Sequence, residues 1–187
     1  MKKIIITALG LALLVASCQN NKPKENASTG ANSVKDNSNN LKGVARDTLV
    51  TRLVRAGELE LTGDNQAELD SYFDTSNFKF HGPDGFNADY SGLNDYFKSI
   101  RAAFDNRSIR RGIIVAEGNY ISCQTWIEGT FVREFTQSPA GPLKPNGNKV
   151  TFELINIFRF DDKGRLVEEW VTTDNRSLMK QLGAEGK

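Results

Sequence analysis

The sequence predicts an α+β domain in which three helices precede an antiparallel sheet and a short helix closes the chain. Apolar residues recur at helical spacing in the first half of the folded part, whereas the second half alternates apolar and polar residues as strands do. Turn residues separate the predicted strands. About 140 residues are available for this domain, which is enough for one hydrophobic core.

Spacing and capping residues indicate the first two helices. Leu49 and Leu53 recur at helical spacing, and Asp47 precedes them as the predicted N-cap. Asn65 followed by Glu68 forms a capping-box pattern, which predicts where the second helix begins.

A short strand and a third helix follow. Phe78 and Phe80 alternate with polar neighbours, which predicts a strand, and Gly82 and Pro83 end it. Ser91 is the predicted N-cap of the third helix. The apolar stripe of this helix is Leu93, Tyr96, Phe97, Ile100, Ala103 and Phe104.

The rest of the chain alternates as an antiparallel meander and ends in a helix. The predicted strands are 109–116, 120–130, 150–160 and 166–173, with a proline-rich loop over 138–148. Residues 175–182 are predicted to be helical because Gly183 fits the position after a helix end.

The N-terminal segment has the pattern of an export signal. Lys2 and Lys3 precede the apolar run 4–14, and small residues then lead to Cys18. The sequence Val-Ala-Ser-Cys resembles the bacterial lipobox, which implies cleavage before Cys18 and diacylation of its sulfur. The alternative is an ordinary signal peptide with an incidental cysteine. We therefore predict a signal peptide over 1–17.

The residues after Cys18 predict a flexible tether between a membrane and the domain. Residues 18–43 are rich in Asn, Ser, Lys and Gly, and their few apolar residues show no period. The domain is accordingly placed at 44–187. The predicted location is the bacterial cell envelope, lipid-anchored, at the outer membrane or the periplasmic face. Gln19 favours the outer membrane because it is not the aspartate that retains some lipoproteins at the inner membrane.

Composition excludes several classes of function. The chain has 24 Lys and Arg against 23 Asp and Glu, so it has no broad basic surface for nucleic acid. Two cysteines and one histidine exclude a disulfide framework, a Cys-rich zinc site and a multi-histidine metal site. We expect no metal.

Several short motifs, in order along the folded part, carry a family resemblance. They include Phe80-His81-Gly82-Pro83, Ala116-Glu117-Gly118-Asn119, Gly164-Arg165-Leu166-Val167-Glu168-Glu169-Trp170, Asp174 and Gln181-Leu182-Gly183. The chain resembles the SnoaL-like polyketide cyclases, or ester cyclases, of the NTF2-like superfamily. The resemblance implies a cone of curved antiparallel sheet closed by helices, with a hydrophobic pocket in its mouth. It also implies intramolecular aldol chemistry on a polyketide ester, with one acid/base residue and no cofactor.

The resemblance places the family's aspartate at Asp174. At strand spacing Glu168, Trp170, Thr172 and Asp174 share a face, which we expect to line the pocket. Desolvation in an apolar pocket would raise the pKa of such a carboxyl group and make it a better base. Asp174 also directly precedes the last helix, so its role is catalysis, an N-cap, or both.

His81 is the second catalytic candidate, because the resemblance places it near the pocket mouth. It either exchanges a proton or a hydrogen bond with the substrate, or it stabilises a loop. The family often has a histidine after Gly-Thr, where this chain has Phe131.

Three further residues are expected to line the pocket. Asn156 interrupts an apolar strand face, so its amide either faces the pocket or pairs with backbone. Gln124 and Trp126 share a strand face, although Trp126, like Trp170, could be a core aromatic.

Two other patterns are assigned to structure. Cys123 alternates with isoleucines and is predicted to be a small buried hydrophobe. Arg107, Arg110 and Arg111 predict a solvated strand edge.

Three classes of function agree with these observations. The first is a cofactor-free enzyme that acts on a small hydrophobic carbonyl compound. The second is a non-catalytic lipoprotein that binds an apolar ligand. The third is a dimerising interaction module, because sheets of the superfamily often pair face to face. The expected partners are a small hydrophobic molecule, a membrane through Cys18, and a second copy of the chain.

Overall fold

The computed structural model describes residues 44–185. The predicted signal peptide, Cys18 and all of the tether (18–43) lie outside the described residues. The helices are α1 (Arg46–Thr62), α2 (Gln66–Ser71), α3 (Tyr90–Ala103) and α4 (Asn175–Gln181). The strands are β1 (Lys79–His81), β2 (Asn87–Ala88), β3 (Phe104–Glu117), β4 (Tyr120–Phe131), β5 (Lys149–Phe160) and β6 (Leu166–Thr173).

These strands form one curved open sheet in the order β2-β1-β6-β5-β4-β3. Strands β3 to β6 are an antiparallel meander, and β1 joins the sheet by pairing parallel to β6. The helices over 44–185 and this mixed sheet confirm the predicted α+β class. The short edge strand β2 was not predicted from the sequence.

The first three helices lie where the sequence predicts them, but only one of their three predicted N-caps is confirmed. Asn65 caps α2 as predicted, because its side chain accepts a hydrogen bond from the Glu68 amide at 3.1 Å. The other two caps differ. Asp89, not Ser91, caps α3 by accepting from the Gly92 amide, and Ala45 occupies the N-cap of α1 without a side-chain bond. Asp47 lies in the first turn of α1 instead, where its charge favours the helix dipole.

The inner face of the sheet packs against α1 and α3, and alternate residues of each strand form the core. Four buried phenylalanines cluster where α3 passes directly into β3. The ring centroid of Phe104 lies 5.1 Å from that of Phe131, 5.4 Å from Phe135 and 5.6 Å from Phe152. We call this group the phenylalanine cluster. Helices within residues 44–185 are all too short or too polar to span a bilayer.

Candidate functional site

A cavity of about 590 Å³ lies between the inner face of the sheet and the helices. Its mouth is formed by the turn Pro83–Phe86, by residues 137–139 of the long loop, and by Asn175 at the start of α4. Most of its wall is apolar. The wall includes Phe80, Leu93, Phe97, Ile100, Ile127 and Phe152. The volume and the lining fit a small, mainly apolar molecule.

A group of polar side chains interrupts this apolar wall. The group consists of Glu60, Arg111, Thr125, Asn156 and Glu169, and we call it the polar end of the cavity. A hydrogen-bonded series joins four of its members. Arg111 Nη1 donates to Thr125 Oγ1 at 2.5 Å, Thr125 Oγ1 donates to Asn156 Oδ1 at 2.7 Å, and Asn156 Nδ2 donates to Glu169 Oε1 at 2.8 Å. Each residue of the series donates to the next, and the series ends at the Glu169 carboxyl group, which only accepts.

The register of the sheet brings these four residues together. Arg111 of β3 lies directly opposite Thr125 of β4. Asn156 pairs with Cys123, so it is a diagonal neighbour of Thr125, and Glu169 is in turn a diagonal neighbour of Asn156. Diagonal neighbours on one face are within reach of long side chains. One polar residue from each of four adjacent strands thus forms a continuous series across the inner face.

Glu169 is 7% exposed and lies in the wall of the cavity. Burial raises the pKa of its carboxyl group to about 7, against the opposing effects of the Asn156 hydrogen bond and the Arg111 charge. A carboxyl group that titrates near neutral pH can both accept and return a proton under physiological conditions.

Glu60 approaches the same cavity from helix α1. It is 8% exposed, and its carboxyl group accepts no hydrogen bond from any other residue over 44–185. Burial, reinforced by the Glu169 charge, raises the pKa of Glu60 to about 8, while Arg111 and Arg101 oppose the shift. The charge of one buried carboxyl group, that of Glu169, therefore acts on the other inside the same cavity.

A glycine on α1 makes room for the guanidinium group of Arg111. A Cβ atom at Gly57 would lie 2.7 Å from Nη2 of Arg111, which is closer than real Cβ contacts. Gly57 lies one turn before Glu60, so Arg111 extends from β3 to the part of the helix that carries the second carboxyl group. The positive charge of Arg111 opposes the rise in pKa of both carboxyl groups, although Arg111 forms an ion pair with neither.

The structure corrects the predicted pocket face of β6. Glu169, Val171 and Thr173 line the cavity, whereas Glu168, Trp170 and Thr172 lie on the opposite face of the sheet, which we call the outer face. Strand β1 accounts for this orientation, because Phe80 of the core pairs with Glu169 and not with Glu168. The alternation was predicted correctly, but the inward face was not.

His81 belongs to the outer face as well. Its Nε2 atom lies 2.9 Å from Glu168 Oε1, its Nδ1 atom lies 2.8 Å from Asn87 Oδ1, and its ring stacks on Trp170. Arg159 also binds Glu168, at 2.6 Å. These contacts agree with the structural interpretation of His81, since they tie β1 to β2 and β6 outside the cavity.

Gln124 and Trp126 also differ from their predicted positions. Their neighbours Thr125 and Ile127 line the cavity, so these two side chains lie on the outer face. The guanidinium carbon of Arg110 lies 3.7 Å from the centre of the Trp126 ring, which is a cation–π contact.

Asp174 caps helix α4, as the N-cap interpretation expects. Its side chain accepts a hydrogen bond from the Ser177 amide at 3.0 Å. Asp174 is exposed, and the residues on either side of it, Thr173 and Asn175, line the cavity while Asp174 does not. The carboxyl groups inside the cavity are Glu60, Asp84 and Glu169.

Asn156 is the one predicted lining residue that faces the cavity. It is 2% exposed, and its amide bonds the side chains of Thr125 and Glu169. Cys123 is a free, buried thiol, as its alternation with isoleucines predicts. No group of three or more His, Cys, Asp or Glu side chains suited to a metal ion occurs over residues 44–185.

Sequence reasoning missed four members of the polar end, although each carried a signal. Glu60 continues the buried helical stripe of Leu49, Leu53 and Ala56, so it is an acidic residue on an apolar face. Arg111 shares a strand face with Ile109, Thr125 lies between Cys123 and Ile127, and Glu169 precedes Val171 by two. The solvated-edge prediction is therefore wrong for Arg111, which points inward.

A curved sheet wrapped around one cavity and covered by helices defines the NTF2-like class of small α+β proteins. The sequence profile of the SnoaL-like polyketide cyclase family matches residues 51–182. The chain belongs to this family. The fold of the family suggests a cyclase- or isomerase-type role. No curated protein is significantly similar to the chain.

Solved structures support the same fold. IdmH of Streptomyces antibioticus, described as a candidate polyketide cyclase, is 22% identical with a TM-score of 0.58, over 72% of this chain and 98% of its own. A candidate polyketide cyclase of Xanthomonas campestris is 13% identical with a TM-score of 0.60, over 73% and 98%. AclR of Streptomyces galilaeus, described as a candidate hydroxylase, is 15% identical with a TM-score of 0.61, over 76% and 85%. At these identities the likeness concerns the fold alone.

Proposed function

We propose that the protein is a cofactor-free acid–base enzyme of the cyclase or isomerase type, which acts on a small apolar carbonyl compound bound in the cavity. The observation that carries the proposal is the position of Glu169. Its carboxyl group lies in a largely apolar cavity and is held by Asn156, and burial raises its pKa to about 7. This proposal assigns to Glu169 the acid/base role that the sequence assigned to Asp174.

The chemistry follows from these surroundings. The Glu169 carboxylate removes a proton from the carbon next to the substrate carbonyl. Asn156 fixes one carboxylate oxygen, Oε1, which leaves the other oxygen for the substrate. The apolar wall holds a flexible chain folded, so that the enolate carbon meets an electrophile in the same molecule; such positioning contributes several kcal/mol.

The matched variants Glu169→Gln and Asp174→Asn test the acid/base assignment. We expect Glu169→Gln to lower turnover about 10²–10⁴-fold, because an amide cannot accept a proton and general-base catalysis is worth about that factor. Asp174→Asn should keep both its turnover and its melting temperature, since Asn and Asp cap helices about equally well. Turnover is measured on a panel of small polyketide-type β-keto esters, and stability by thermal melts.

The two variants separate the competing assignments. Loss of turnover in Asp174→Asn, with full activity in Glu169→Gln, would return the catalytic role to Asp174. The comparison also requires that neither variant melts below the wild type, so that misfolding does not imitate a catalytic defect.

The second candidate function is binding without catalysis. The apolar wall of the cavity supports it, because the same wall would hold an apolar ligand that does not react. An apolar ligand that co-purifies with the wild-type protein, combined with no turnover on the whole panel, would favour this function.

We propose in addition that the outer face of the sheet pairs with a second copy of the chain. Ile113 of β3 is 69% exposed, Val115 is exposed on the same strand, and Tyr120, Ile155 and Ile157 are exposed on β4 and β5. Soluble monomers rarely leave a large contiguous apolar patch open to water. Burying these side chains against a copy of themselves would remove the patch from solvent.

Ile157→Asp tests this pairing. A buried carboxylate at the centre of the interface lacks a partner, so we expect the variant to sediment as a monomer at concentrations where the wild-type domain is a dimer. Lys98→Asp, an exposed change on α3, is the control and should leave the mass unchanged. A wild-type domain that is monomeric at high concentration would contradict the proposal.

We propose finally that the protein is held at the bacterial cell envelope by acyl chains on Cys18, at the outer membrane or the periplasmic face. The support is the lipobox-like sequence that ends at Cys18 after a short apolar run. Cys18→Ser should abolish acylation and move the protein from the membrane fraction to the soluble fraction. A wild-type protein already found in the soluble fraction would contradict the anchor.

A further inference from the structure

Glu60 has no assigned task in the proposed reaction, although it lies in the same cavity as Glu169. It is more than nine-tenths buried, it lines the cavity, and its carboxyl group accepts no hydrogen bond from the residues over 44–185. Leaving a buried carboxyl group without a partner is costly. The polar end therefore contains a group that is free to bond a ligand.

The two carboxyl groups have different surroundings. Glu169 accepts a hydrogen bond from Asn156, which favours its ionised form, whereas burial without a hydrogen bond favours the neutral form of Glu60. The other charged and titratable groups near them are Arg111 of β3, Arg101 and Tyr90 of α3, and, at the cavity wall, Asp84 and Tyr96. Burial raises the pKa of Tyr90, and it raises that of Tyr96 to about 12. The arginines and tyrosines stay protonated near neutral pH, so they do not exchange protons with the two glutamates.

We propose that Glu60 and Glu169 form a two-carboxyl proton-transfer pair, in which Glu60 is the acid toward the substrate oxygen while Glu169 is the base toward the adjacent carbon. The proposal rests on the proposed function and deepens it. It defines the substrate class as a neutral compound with an enolisable carbonyl group, because the carbonyl oxygen must accept a proton from a carboxylic acid.

The proton balance closes without a cofactor. The Glu169 carboxylate takes the proton from carbon, the C–H electron pair becomes a C=C bond, and the carbonyl oxygen takes the proton of Glu60, which gives an enol. The enol carbon then forms a C–C bond with an electrophilic carbonyl of the same molecule. The enol proton returns to Glu60, and Glu169 gives its proton to the new alkoxide oxygen. The pair again holds one proton.

A titration of the carboxyl groups tests the pair without any substrate. Carbon-13 labelled glutamate carboxyl groups are followed by NMR in the wild type, in Glu169→Gln and in the control Glu58→Gln, an exposed residue of the α1 helix. We expect Glu169→Gln to lower the midpoint of Glu60, because Glu60 then titrates without the Glu169 charge beside it. An unchanged midpoint would overturn the pair.

A second variant tests the pair while both carboxyl groups stay in place. Gly57→Ala puts a methyl group 2.7 Å from Nη2 of Arg111, which is too close, so the guanidinium group must move. Because Arg111 favours both ionised forms, we expect the midpoints of Glu60 and Glu169 to rise together. Midpoints that stay at their wild-type values would show that the groups do not share this environment.

Deuterium exchange of 4-phenyl-2-butanone in heavy water tests the division of roles. We expect a bell-shaped pH profile in the wild type. Glu60→Gln should exchange about 10²-fold more slowly and lose the alkaline limb, because its only titrating group is the base. If Glu169→Gln stops exchange and Glu60→Gln changes nothing, the pair is wrong and the proposed function stands. If neither variant changes the exchange rate, the proposed function fails. If the wild type does not exchange this ketone, the carboxyl titration alone tests the pair.

Discussion

Glu60→Gln should make the protein markedly more stable at pH 8 and leave its stability near pH 4.5 almost unchanged. Below the unfolded pKa of a glutamate, both the folded and the unfolded chain carry the proton. As the pH rises, the unfolded chain releases its proton first, because burial raises the pKa of Glu60 in the folded chain. Stability is therefore lost from about pH 4.5 until the folded pKa, about 8, is passed.

The expected size of this effect is several kcal/mol, since each unit of pKa difference corresponds to about 1.4 kcal/mol. Glutamine has nearly the shape of glutamate but does not titrate, so the variant avoids the loss. The measurement is urea unfolding of the wild type, Glu60→Gln and the exposed control Glu58→Gln between pH 4.5 and 8.5. Equal pH slopes for all three proteins would contradict the raised pKa. A gain in stability together with a loss of activity would indicate that the site is kept at a cost to stability.

Phe104→Ala should destabilise the protein by about 3–5 kcal/mol, which is the usual range for truncating a buried aromatic residue. Phe104 is 1% exposed and contacts the other three rings of the phenylalanine cluster. Phe104 directly follows α3 and is the first residue of β3, so its truncation removes packing contacts from both the helix and the sheet.

The free energy of unfolding, measured by denaturant titration, checks this expectation. Phe86→Ala is the matched control, since Phe86 is half exposed at the cavity mouth and should cost little stability. A change below about 1 kcal/mol for Phe104→Ala would mean that the cluster repacks around the missing ring.

Local patterns predicted most of the fold. Strand β6 was predicted at its observed bounds, and α4 and β5 differ by one residue at one end, because strong periodicity and turn residues flank them. The caps at Asp89 and Ala45 were missed because several nearby residues compete for such positions, and tertiary packing decides among them. The two-residue strand β2 is too short for a periodic signal.

The candidate site was harder to predict than the fold. Alternation in β6 divides its residues into two faces, each with one glutamate, but it does not say which face turns inward. That choice depends on the pairing of Phe80 with Glu169, two residues that are 89 positions apart in the sequence. Glu60 could have been found, because an acidic residue on a buried helical stripe is unusual.

The hydrogen-bonded series across β3, β4, β5 and β6 also affects which strand register the sheet adopts during folding. If β5 shifted by one residue, Ile155 or Ile157 would turn inward and Asn156 would turn out, so Glu169 and Thr125 would each lose their hydrogen bond to Asn156. The apolar inner face opposes the same slip, because Phe152 and Phe158 would turn to solvent while Glu153 and Arg159 would turn inward. The lost buried hydrogen bonds add to this cost, so the residues proposed for chemistry also favour the correct strand register.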